Sequence, residues 1–457
     1  MEPLSMCVNT QTPLMRFNPS WAQKAPEGPT REAPLDMKLL TEDTDYEFTP
    51  GGVTRMVFPL LKRMMASHTL KDATWVSLNP VGPKSSTLSG IEFRNVLMEQ
   101  ERLAGYGKTK EAIWGTVHGL LPDSNSEDIF WRDDFTDYAY YNRLSAELIM
   151  NLDSEKDFDI FYVHDFQQLP MGHMLGTLKP KVFRWHIPFD QTAIPKLWEE
   201  PLSTYLNSYD MVIASSKRYL DSLKEFGYNG ASRHVYPYVD PGDYSRPTRA
   251  QMDALRRRLG IARGEKVALV VARMDPIKGQ DRVVRAMGIT KRRCPALKLL
   301  LVGNGSFSSS AGGLKLSKGA AWRAYLQELA RRLEVEDRVI FAGHLSQAEL
   351  DAAYQLCSFT VLPSVQEGFG LVVIEGWIHR RAGIVSRGAG ASELIREGSN
   401  GLLYDPDDVE TLAEHMCRLA ADRTLADRMG AAGRADSRRC YVDEGVKEES
   451  SIIMGLV

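Results

Sequence analysis

Short runs of consecutive apolar residues alternate along most of the chain with longer stretches in which apolar positions recur every three to four residues. Runs of the first kind suit strands buried on both faces of a parallel sheet, and the second spacing suits helices packed against it. Four runs precede residue 240, at 73–78, 158–164, 181–187 and 211–214, the last followed by the helix-like SSKRYLDSLKEFG. A second series starts beyond the turn-rich YPYVDPGDYSRP, with KVALVVAR (266–273), LKLLLVG (297–303), RVIFAG (338–343), FTVLPS (359–364) and GIVS (383–386). Helical patterns intervene at 280–287, 321–333, 347–356 and 408–421. Two successive βαβ series predict the α/β class: two doubly wound, Rossmann-like domains with an interdomain cleft at the carboxyl ends of their strands. The expected boundaries are 49–240 for the first domain, 241–247 for the linker and 248–430 for the second domain. Residues 1–48, with six prolines and little periodicity, read as an extended arm without a catalytic role, and 431–457 as a segment that packs back on the first domain.

Length and charge narrow the functional classes. A chain of 457 residues is long enough for two independent cores, and 43% hydrophobic with 25% charged residues is the composition of a folded protein. A formal charge of −3 provides no global basic field, which argues against nucleic acid as a partner. The five cysteines, Cys7, Cys294, Cys357, Cys417 and Cys440, are scattered and form neither a CxxC pair nor a metal cage with histidine. No apolar run is long enough for a transmembrane segment, and the N-terminus lacks the pattern of a signal peptide. A cytoplasmic, reducing location is expected.

The densest chemical signal is LPSVQEGFGLVVIEGW (362–377). A strand ending near Pro363, a glycine-rich turn at Gly368, Phe369 and Gly370, and a following helix would present that helix's first amides as an anion site. Glu367 lies in the turn and Glu375 in the helix, so one carboxylate is placed for sugar hydroxyls and the other for a nucleotide ribose. In VARMDPIKGQD (271–281), Arg273 ends a strand and Lys278 precedes a helix. Two cations there can clamp a diphosphate and stabilise its growing charge, replacing a metal ion. In TPGGVTR (49–55), Gly51 and Gly52 open a helix and allow a ligand near the backbone. VHDFQQLP (163–170) and RWHIPFD (184–190) each place histidine just after an apolar strand, so that Asp165 and His186 share one sheet end with His164. Each of these features has an ordinary structural reading as a cap, a turn or a surface charge; their co-occurrence at strand ends favours a site.

Together these segments resemble the retaining nucleotide-sugar glycosyltransferases of GT-B architecture, family 4 in particular, over about residues 48–430, with EGFGLVVIE similar to that family's ExxxxxxxE signature. VHDFQQLP and WHIPF also look like the acceptor half of trehalose-phosphate synthases and trehalose-forming glycosyltransferring synthases. The resemblance implies that Asp165 contacts the acceptor sugar and His186 the donor sugar, that Arg273 and Lys278 clamp phosphate, and that Glu367 binds the donor sugar and Glu375 the ribose. It places the nucleotide near Gly303. The implied reaction moves a glucosyl unit from an NDP-glucose to a small sugar or polyol acceptor, with trehalose or a related compatible solute as product. No cofactor or metal is expected, and self-association into a homodimer is left open. A lipid or polysaccharide acceptor, or a catalytically silent sugar-nucleotide sensor, are the alternatives. The segment 303–322 is longer than the usual family loop, and its Gly, Ser and Lys content predicts mobility.

Overall fold

The computed structural model describes residues 2–24, 34–49, 51–120, 128–190, 192–304 and 314–457, with backbone alone for 314–318. The chain divides into two compact units, residues 1–237 with 445–457, and residues 238–444. Each is built on its own sheet.

In the first unit the strands are β1 (Leu4–Thr10), β2 (Met15–Phe17), β3 (Leu35–Asp36), β4 (Tyr46–Phe48), β5 (Leu70–Leu78), β6 (Ser85–Leu88), β7 (Ile91–Val96), β8 (Ile160–His164), β9 (Lys181–Trp185), β10 (Met211–Ala214) and β11 (Ala231–His234). Nine of them form one sheet in the order β11-β10-β9-β8-β1-β5-β7-β6-β3, parallel from β11 to β7, while β2 and β4 pair separately. The N-terminal residues are therefore no surface arm. All seven residues of β1 are buried, and the strand is paired on both sides at the point where the sheet's winding reverses. Its buried Ser5 and Thr10 are satisfied by the Asp72 carboxylate at 2.6 Å and the Trp75 indole N–H at 2.9 Å, which is how a half-polar strand lies at the centre. The helix Gly52–Ala66 then becomes part of the first crossover, between β1 and β5.

The second unit carries β12 (Lys266–Val271), β13 (Leu297–Val302), β14 (Val339–Gly343), β15 (Phe359–Leu362), β16 (Ala382–Ser386) and β17 (Gly401–Tyr404), in the order β14-β13-β12-β15-β16-β17 and parallel throughout. This is the 3-2-1-4-5-6 order of a dinucleotide-binding sheet, with its switch point between β12 and β15. Val270, Leu301, Ile384 and Leu402 fill one face and Leu269, Leu300 and Tyr354 the other, all essentially buried. The five apolar runs of the second series all became strands, and the helix expected at 347–356 is Gln347–Leu356, opened by a Ser346/Glu349 capping box.

The boundaries differ from expectation at both ends of the second unit. It begins at residue 238, and the chain returns to the first unit at 445. The helix Val442–Met454 delivers Glu449 into the first unit, where it accepts from the Tyr162 hydroxyl and pairs with Arg184 at 2.5 Å. Arg184 and Glu449 are both fully buried, and with the buried Val446 and Ile453 the pair ties the last helix to the first unit. Most of the segment expected to be a loop at 303–322 is either helix, Leu314–Arg332, or lies at 305–313, outside the described residues.

Candidate functional site

In the second unit, glycines determine how the loops leaving the strands meet. After β12, Asp275 accepts from the Ile277 amide and Pro276 starts a short turn, Pro276–Lys278, closed by Gly279 at φ 65°. A Cβ on Gly279 would lie 2.0 Å from the Pro363 carbonyl oxygen, so glycine lets this turn touch the residue just beyond β15. On the other side, Cβ atoms at Gly388 and Gly390 would lie 1.9 Å from the Val365 oxygen and 2.4 Å from the Gly368 oxygen. The turn 363–370 is thus held between the loops after β12 and β16, and Glu367 gives and receives backbone hydrogen bonds with Gly388 and Gly390 at 3.1 and 3.0 Å.

This packing brings Lys278 and Glu367 together. Their charged ends form a direct, mostly buried ion pair, and Ser364 Oγ donates to the same carboxylate at 3.1 Å. Arg273 lies on the loop leaving β12, with its carbonyl held by the buried Gln280 amide at 2.6 Å, and Gln280 in turn accepts from the Trp322 indole at 3.0 Å. Gly370, at φ 103°, caps the helix Leu371–Ile378 without a side-chain acceptor, and Phe369 beside it is buried. Gly303, at φ 135°, is explained by the fold itself, since a Cβ there would strike the Ala272 oxygen at 2.1 Å.

Glu375 lies within the helix Leu371–Ile378, as its spacing predicts. It is buried, and its two oxygens accept from the Tyr354 hydroxyl at 2.8 Å and the Tyr244 hydroxyl at 3.1 Å. The spacing from Glu367 is that of the signature, and the carboxylate meets two tyrosine hydroxyls that the motif does not encode. Ser364, Gln280 and the two tyrosines carry no motif of their own, and only the packing identifies them.

In the first unit, Asp165 follows β8 with φ 71° and ψ 167°, a region otherwise populated by glycine. The surroundings hold it there: its amide donates to the Arg184 carbonyl at 2.8 Å, and its carboxylate accepts from the His186 amide at 3.3 Å. Burial pushes its carboxyl up to about 7, against the opposing effect of the Phe166 and His186 amides. His186 follows β9, and its ring nitrogen lies 3.1 Å from that of His164. Burial lowers the pKa of both imidazoles, assisted at His164 by His186 and at both by Arg184, so the pair is neutral at physiological pH. Strand neighbours β8 and β9 therefore do place Asp165, His164 and His186 in one cluster. Gly51 precedes the helix Gly52–Ala66 in an extended conformation, and a Cβ at Gly52 would meet nothing within 4 Å. Among the described residues, then, no packing demands glycine at 52.

Among the described residues no group of three histidine, cysteine or acidic side chains is arranged to hold a metal ion, and no helix is long and apolar enough to cross a membrane.

A mainly parallel and a fully parallel sheet, each with charged or titratable groups at its strands' carboxyl ends, match the fold of structures of the GT-B glycosyltransferase type. Residues 251–436, within the second unit, match the family of glycosyl transferases group 1, and residues 113–221, within the first, match the trehalose synthase N-terminal domain. A D-inositol 3-phosphate glycosyltransferase of Nocardia farcinica is 30% identical over 289 residues, covering 59% of this chain and 62% of that protein. A GDP-mannose-dependent alpha-(1-6)-phosphatidylinositol monomannoside mannosyltransferase of Mycolicibacterium smegmatis is 28% identical over 232 residues, 49% of this chain and 56% of that protein. The chain spans about 60% of the length of such curated relatives. The UDP-forming alpha,alpha-trehalose-phosphate synthase of Burkholderia xenovorans superposes with a TM-score of 0.73 over 99% of this chain and 98% of its own, at 17% identity, which is a likeness of fold.

Proposed function

We propose that the protein is a retaining glycosyltransferase that moves a glucosyl unit from an NDP-glucose to a small sugar or polyol, making trehalose or a related compatible solute. The observation that carries this reading is the Lys278–Glu367 ion pair in the glycine-built turn at the switch point of the second sheet, within the matched glycosyl transferase segment. An ammonium already held by a carboxylate is charged and oriented before the donor arrives. On binding, Lys278 exchanges part of that pairing for the donor diphosphate, and Arg273 supplies the second cation, so that charge building on the leaving group is met by fixed positive groups. Glu367, relieved of part of its partner, accepts from donor-sugar hydroxyls, beside the Phe369 and Gly370 amides. Asp165 orients the acceptor hydroxyl, neutral His186 contacts the donor sugar, and the departing phosphate takes the acceptor's proton. No protein nucleophile is invoked, and no metal is required.

The trehalose synthase match over 113–221, which includes Asp165 and His186, favours a small sugar acceptor. A second reading, a phosphorylated polyol or lipid acceptor, draws on the inositol-phosphate and phosphatidylinositol-mannoside enzymes among the relatives. A mass-spectrometric screen of UDP-, ADP-, GDP- and TDP-sugars against glucose, phosphorylated glucose, glycerate, glycerol and inositol phosphate separates them. A hexosyl product on a glucose-type acceptor is expected. Product on inositol phosphate alone supports the second reading, and nucleotide binding without any product would make the chain a sensor.

A further inference from the structure

The helix Leu371–Ile378 has the Glu367–Gly370 turn at its start, and five arginines gather near its other end. The helix closes with a turn in which the Arg380 amide donates to Trp377 at 2.9 Å and that of Arg381 to Gly376 at 2.8 Å. Arg380 adopts φ 57°, a position where glycine is the usual residue. Against this turn packs the helix Arg423–Asp436, through two glycines three residues apart. A Cβ on Gly430 would lie 2.0 Å from the Arg380 oxygen, and one on Gly433 2.2 Å from the Trp377 ring. That close approach brings Arg434, one turn beyond Gly430, beside Arg380 and Arg381.

Arg380, Arg381 and Arg434, with Arg246 from the segment before the first helix of this unit, line an open hollow of about 500 Å³. A second of about 510 Å³, sharing Arg380 and Arg434, adds Arg438. Among the described residues none of these five arginines forms an ion pair. The one acid in the lining, Asp427, is paired with Arg423 at 3.3 Å. One or two cations at a helix C-terminus complement its dipole. Five without carboxylates, two of them pressed together by a glycine-mediated helix contact, exceed that need and repel one another. Moreover, Arg434 Nη1 and Arg381 Nε are shielded from solvent with no hydrogen-bond acceptor, the condition that a bound anion relieves.

We propose that this groove is a binding site for a small phosphorylated ligand, separate from the donor turn. Guanidinium groups from the turn after one helix, from a second helix and from a loop suit the several oxygens of phosphate groups, with Arg381 steadied by Gln355 through Nη2 at 2.9 Å and its Nε left without an acceptor, and the volume suits a metabolite-sized molecule. The intervening eight-residue helix, about 12 Å long, sets the site apart from Lys278.

Calorimetric titration of the full chain with inorganic pyrophosphate, at constant ionic strength, tests this. The wild type should show binding that survives in part in Lys278→Ala, and in that background, with the donor clamp disabled, it should weaken at least tenfold on adding Arg434→Gln or Arg380→Gly. Arg380→Gly should hold or raise the melting temperature, because glycine suits that φ, so lost binding there reports the site and not the fold. Unchanged affinity in both arginine variants, or complete loss of binding in Lys278→Ala, would overturn the proposal. So would capture of a poly-glutamate peptide by a groove that ignores pyrophosphate.

Discussion

At the carboxyl end of β8, Asp165 is held in a conformation that glycine would adopt at no cost, buried, its acid pushed up to about 7. At the carboxyl end of β15, Glu367 lies in a turn where the awkward positions are occupied by real glycines, and its charge is answered by Lys278. β8 and β15 each lie beside the strand at which their sheet's winding reverses, so equivalent positions support two ways of preparing a carboxylate. In the first unit the fold carries backbone strain of about 1–3 kcal/mol and a desolvated acid. In the second, close loop packing removes the strain and an ion pair keeps the group charged. A strained residue can be replaced to the benefit of stability, whereas a paired one cannot, and that contrast is open to experiment.

The largest effect is expected from Asp165→Asn, which should abolish transfer while nucleoside-diphosphate affinity, measured by calorimetry, stays near wild type. Ordinary transfer kinetics in this variant would remove Asp165 from the acceptor site. Next comes Lys278→Ala, with kcat/KM down by roughly 10²- to 10³-fold, since one preorganised charge is lost from the transition state. Turnover within about threefold of wild type would reduce Lys278 to a structural ion-pair partner. Denaturant unfolding of Glu449→Ala should show a loss of about 3–5 kcal/mol, because Arg184 is left buried without its counter-charge. A loss below 1 kcal/mol would mean that the C-terminal helix is not held by this pair.

The smaller effects concern strain and pH. Asp165→Gly should unfold later than wild type, by up to about 1–3 kcal/mol, although inactive. A carboxyl raised from 3.8 to about 7 binds its proton more tightly when folded, so its contribution to stability falls as pH rises through that window and levels off above it. Asp165→Asn lacks this titration, and its stability relative to wild type should climb between about pH 4 and 7. A difference that stays flat with pH would show that Asp165 titrates normally.

Much of this arrangement was legible in the sequence, for reasons that also mark where legibility ends. Runs such as KVALVV and LKLLLV are buried on both faces and could hardly be anything but central parallel strands. LSMCVNT is equally central but carries Ser, Asn and Thr, whose hydrogen-bond partners come from residues far along the chain, so no local pattern distinguishes it from a loop. The short strand ASRH at the sheet's edge, half exposed, carries no apolar signal either. At the sites, Lys278 and Glu367 were readable because turn glycines announce close loop packing. Glu375 was placed on its helix correctly, yet its direction depends on Tyr354 and Tyr244, which no spacing in the motif encodes.

The partnership of Tyr162 and Arg184 with Glu449 also has a consequence for the order of biosynthesis. Tyr162 and Glu449 are 287 residues apart. At 5–20 residues per second a ribosome needs roughly 15–60 s to bridge that interval. Once residue 234 is made the first sheet has all its strands, yet Arg184 on β9 waits for the Glu449 carboxylate while the whole second unit is being made. The second unit, contiguous in sequence, can complete its own sheet as it emerges. The first to be started is thus the last to be finished, and nascent chains arrested before residue 449 should expose β8 and β9 to protease long after the second unit has become resistant.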